Sequence, residues 1–65
     1  MSDDAPTLRE RVRDMEGWAR SRIRHCRGIE SRFAPHSVYA SIIASERRAL
    51  ESVLEQLGLK PEPTP

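Results

Sequence analysis

Apolar side chains recur in the first half of the chain at Leu8, Val12, Met15, Ala19, Cys26, Ile29 and Phe33, in steps of four and three that miss one beat at Arg22. In the second half Tyr39, Ile43, Leu50, Val53 and Leu57 keep the same spacing, again with one missed beat, at Glu46. Such steps bring side chains to one side of an α-helix, and repeated over several heptads they form a seam along which two helices pack. The pattern predicts one helix over about 8–33 and a second over about 35–57. Trp18 and Ile23 flank the first seam, while Ile42, Ala49 and Leu54 widen the second. The sequence contains no strand-type alternation, no internal repeat and no glycine-rich loop.

Punctuation residues agree with these bounds. Thr7 followed by Glu10 is a capping box, in which hydroxyl and carboxylate satisfy the first backbone donors of a helix. Pro35 disfavours helical geometry in the residue before it and suits the first turn of a new helix. Gly58 suits the position just past a helix end. Residues 1–6 (MSDDAP) are polar and are expected to be a disordered tail. Residues 59–65 (LKPEPTP) hold three prolines and are expected to be extended and exposed. The fold class is therefore all-α: an antiparallel two-helix hairpin over 7–58, turning at 34–36, with a tail at each end.

A turn that short makes residues whose numbers sum to about 68 face each other. The expected layers are Ile29 with Tyr39, Cys26 with Ile43, Ala19 with Leu50, Met15 with Val53, and Val12 with Leu57. The two missed beats, Arg22 and Glu46, fall in one layer with opposite charge. An ion pair there would fix the register, as single polar residues do in coiled coils.

Size shifts attention to a partner. A chain of 65 residues has room for one small core, and natural chains of this size usually add a disulfide, a metal or another chain. The one cysteine, Cys26, excludes an internal disulfide and fits a reducing, cytoplasmic setting. No stretch reads as a signal peptide or membrane span. Trp18, Ile23, Ile42 and Leu54 would stay half exposed on a lone hairpin, and such a patch marks an association surface. Pairing of two hairpins into a four-helix bundle is the simplest way to cover it. The expected partners are thus a second copy and an unidentified protein on which the dimer docks or which it regulates.

Candidate chemistry is sparse. His25 and Cys26 are adjacent and diverge by about 100° on a helix, so they do not share a metal readily; His36 is the remaining soft ligand. No orienting third group accompanies Cys26 as a nucleophile, and a two-helix hairpin offers no pocket for a small-molecule substrate. Neither an enzyme nor a cofactor is expected. Net charge is only +1, yet positions 9–32 carry eight arginines against four acids. Arg13, Arg20 and Arg27 recur every seven residues with Arg24 beside them, and Gly17, Ser21, Gly28 and Ser31 lie between. Arginine forks suit phosphate, so nucleic-acid binding through this face is the alternative function. Pairing of these arginines with nearby glutamates is the plainer account of them. A membrane-surface role is disfavoured because the second helix offers the first a better apolar partner.

Overall fold

The computed structural model describes residues 5–33 and 36–63. Two helices account for most of them, α1 (Leu8–Glu30) and α2 (Val38–Gln56), packed against each other. At the start of α1 the Thr7 hydroxyl accepts a hydrogen bond from the Glu10 N–H at 3.1 Å. Residues 1–4 of the expected N-terminal tail, and Ala34 and Pro35 of the expected turn, lie outside the described residues; Ala5 and Pro6 are exposed.

Both helices stop short of the expected turn. The Ser31 Oγ donates to the Gly28 carbonyl at 2.8 Å, and the Arg32 N–H turns to Ile29 O at 3.0 Å. In a continuing helix the Gly28 carbonyl would take the Arg32 N–H, so the serine hydroxyl competes with the next turn. The second helix begins at Val38 rather than at Pro35, capped by Ser37, whose hydroxyl accepts from the Ala40 N–H at 3.4 Å. Phe33, beyond the end of α1, meets Tyr39 in the first turn of α2 edge to face, ring centroids 5.1 Å apart.

The far end of α2 closes with a Schellman motif. Gly58 has φ +73°, its N–H donates to Glu55 O, and the Leu59 N–H donates to Leu54 O, each at 2.9 Å. Leu59 packs onto the core containing Leu54, as the motif's hydrophobic contact requires. This reversal sends the chain back along α1. The tail is exposed at Lys60, Pro61 and Pro63, but Leu59 is partly buried and Glu62 is only 7% accessible; Thr64 and Pro65 lie outside the described residues.

The core also departs from the expected seam. Ile23 (0% accessible) and Leu54 (1%), placed by the pattern on the outer stripe, are the most deeply buried large apolar side chains, and Ala19 closes on them. Leu50 and Leu59 pack against this cluster. The seam of α1 runs Ala19–Ile23–Cys26, a four–three step that avoids Arg22 altogether. Burying an isoleucine is favourable where burying an unpaired guanidinium is costly, so the helix turns slightly to take position 23 inward. Met15, Tyr39, Val53 and Leu57, expected inside, are left 41–58% accessible.

Candidate interaction surfaces

The rotation gives the hairpin two unlike broad sides. On one, Met15, Trp18 and Arg22 follow each other at steps of three and four on α1. Tyr39, Ile42, Glu46, Val53 and Leu57 line up in the same way on α2, with a seven-residue step between Glu46 and Val53. The two stripes share one side because Arg22 and Glu46 meet. The Arg22 Nε–H donates to Glu46 Oε2 at 2.5 Å and Nη2 to Oε1 at 3.4 Å, and the Cys26 thiol donates to Oε2 at 3.5 Å. Both charged side chains are more than a third accessible, so the pair sits at the rim of the seam rather than inside it. The Arg22 N–H bonds hold the Glu46 carboxyl below its ordinary range, against an opposing push from burial. Burial, reinforced by Glu46, raises the Cys26 thiol.

Around this ion pair large apolar side chains are exposed, with Arg11 and His25 in line with them on α1. Trp18 and Ile42 are 61% and 60% accessible. Of the four residues expected to form the association patch, these two face solvent. Ile23 and Leu54 belong to the core, and Met15, Tyr39, Val53 and Leu57 are exposed instead.

The opposite side is a ladder of charge. The Arg47 fork donates to both carboxylate oxygens of Glu30 at 2.7 and 3.2 Å, and its Nη1 donates to Glu51 at 2.8 Å. Arg27 Nη2 donates to the other Glu51 oxygen at 2.8 Å. Next to this ladder the returning tail meets α1. Arg20 Nε donates to Glu16 at 2.8 Å, Nη1 to Glu62 at 3.1 Å, and Nη2 to the Lys60 carbonyl at 2.7 Å. Arg24 Nη1 donates to the second Glu62 oxygen at 2.9 Å. Arg20 and then Arg24 hold the Glu62 carboxyl below its ordinary range.

Three of the four arginines of the expected basic face, Arg20, Arg24 and Arg27, are thus matched by carboxylates, while Arg13 is exposed. A Cβ placed at Gly17 or Gly28 would meet nothing within 4 Å, so neither glycine is needed for close approach within the chain. Among the described residues no three His, Cys, Asp or Glu side chains gather in a way that would hold a metal ion, and no helix is long and apolar enough to cross a membrane. In comparison with known proteins, no family profile, curated protein or solved structure matches the chain.

Proposed function

We propose that this protein is a non-enzymatic interaction module that pairs with a second copy of itself through the Met15–Trp18–Ile42–Val53 side, forming a four-helix bundle that docks on or regulates another protein. The observation that carries the proposal is the set of large apolar side chains exposed on either side of the Arg22–Glu46 pair, on a hairpin whose own core is small. These six large side chains leave roughly 600 Å² per chain accessible, close to the ~800 Å² each partner contributes to a standard interface. A two-fold pair covering both copies would bury on the order of 1,200 Å², above the ~1,000 Å² expected of a specific contact. A reducing, cytoplasmic setting suits a chain whose one cysteine is buried as a thiol.

Sedimentation equilibrium at micromolar concentration tests the pairing. The expected mass is twice the 7.4 kDa of the chain. A monomer with a cooperative melt at that concentration would refute it. Nucleic-acid binding through Arg13, Arg20, Arg24 and Arg27 takes second place, because phosphate would have to displace the glutamates from three of the four. It predicts an affinity falling steeply with salt, with a log–log slope of about 0.9 per neutralised phosphate.

A further inference from the structure

The end of the chain is held as a ligand is held. Arg20 reads two points of the tail that lie two residues apart, the Lys60 carbonyl and the Glu62 carboxylate. Arg24 takes the second carboxylate oxygen. Glu16, one turn before Arg20, occupies the Nε–H and leaves both outer nitrogens of the fork to face the tail. This is a preset receptor: one arginine is aimed by its own helix, and a second completes the grip on the carboxylate. Pro61 and Pro63 fix φ on either side of Glu62, which favours an extended chain and reduces the entropy lost on docking. Pro63 joins Arg24, Arg27, Gly28 and Ser31 in lining a recess beside the clamp. The Arg27 Nε–H is buried in this wall and makes no hydrogen bond among the described residues.

We propose that the Arg20–Arg24 clamp is a peptide-binding site for an extended acidic segment of the form Pro-Glu-Pro on a partner protein, and that the chain's own tail is its resident, displaceable occupant. The clamp lies on the side away from the apolar stripe, so it can stay accessible when two copies pair. A tethered occupant competes at an effective concentration in the millimolar range. Against a site that binds the free peptide at ~0.1 mM, the tail lowers apparent affinity about ten-fold.

The test uses a fluorescently labelled peptide of sequence LKPEPTP and the full chain, as wild type and as Glu62→Ala, with anisotropy as the readout. Glu62 is outside both helices, so circular dichroism should show the hairpin intact. The expected result is binding about ten-fold tighter to Glu62→Ala than to wild type. Binding should be lost when Arg20→Gln is added, and also when the peptide carries glutamine for glutamate. Equal binding to both proteins would overturn the proposal, as would a glutamine peptide that binds as well as the glutamate one. So would an RNA or DNA oligonucleotide that binds Glu62→Ala while the peptide does not. Sedimentation of Glu62→Ala should match wild type; dissociation of a wild-type dimer by this change would assign the clamp to the tail of a second copy and overturn the partner reading. The peptide result does not depend on whether the apolar sides pair.

Discussion

Trp18→Ala separates association from folding. Trp18 is 61% accessible in the single hairpin, so its loss leaves the core around Ile23 and Leu54 untouched. Surface substitutions away from special features usually change stability by no more than ~0.5 kcal/mol, and alanine is the best helix former. In a two-fold dimer the same change acts twice. Each indole exposes roughly 150 Å², worth at most about 4 kcal/mol at ~25 cal/mol per Å². Only part of buried area appears as affinity, because binding also orders side chains and removes translational freedom. Crediting the two rings together with ~3 kcal/mol still raises the dissociation constant by more than a hundred-fold. Sedimentation should show the variant as a monomer where wild type is a dimer, with little change in helix content. Trp18 is the sole tryptophan, so wild-type emission should also shift to the blue as concentration rises. An unchanged dissociation constant for Trp18→Ala would show that the apolar side is not the contact.

Other consequences follow from the same geometry. Ile23→Ala, at the most buried position of the core, should cost ~2–5 kcal/mol, comparable to the whole stability of a domain this small, and abolish the cooperative melt; a variant that melts like wild type would return Ile23 to the surface. Gly17→Ala should stabilise α1 by ~1 kcal/mol, since the added methyl meets nothing, and a lower melting temperature would contradict the open space there. Glu30, Glu46 and Glu62 are all held below the ordinary carboxylate value, mainly by Arg47, Arg22 and Arg20 respectively. The unfolded chain therefore takes up protons first as pH falls. Their contribution is complete above the ordinary value of ~4.3 and is lost as pH drops through the lowered folded values. Melting followed by circular dichroism from neutral pH to pH 2 should show that decline, and Glu62→Gln should shrink it; a flat profile would mean the carboxylates gain nothing on folding.

Much of the fold is visible in local pattern. Two periodic runs give two helices, Thr7 marks the entry to α1, and Gly58 marks the exit from α2. The opposite charges at Arg22 and Glu46 suggest the contact between them. Periodicity is ambiguous where two adjacent residues compete for one beat. Positions 22 and 23 both continue a heptad from Ala19, and only the relative cost of burying each decides. A seam counted through Arg22 puts Ile23 outside, and a seam counted through Val53 does the same to the adjacent Leu54, whereas both are buried. The same count turns Met15, Tyr39, Val53 and Leu57 inward, whereas all four are exposed. The tail is hidden for a different reason. Its ion pairs join residues 38 and 42 positions apart, beyond any local window. One signal was available: Leu59 directly after Gly58 is the apolar residue that a Schellman turn folds onto the helix it has just ended.

That turn also divides the folding of the chain into two timescales. The contacts between α1 and α2 nearest the bend close the shortest loops and should form first, each shortening the loop that the next must close. The tail has no such sequence of small steps. Its grip on Arg20 closes a ring of about forty residues in one event, after both helices exist to frame it. The tail should therefore dock last and leave first, opening without melting the helices beneath it. Amide exchange at Leu59 and Glu62 should run ahead of exchange in the middle of α1, and it should do so by the opening of a latch rather than by global unfolding.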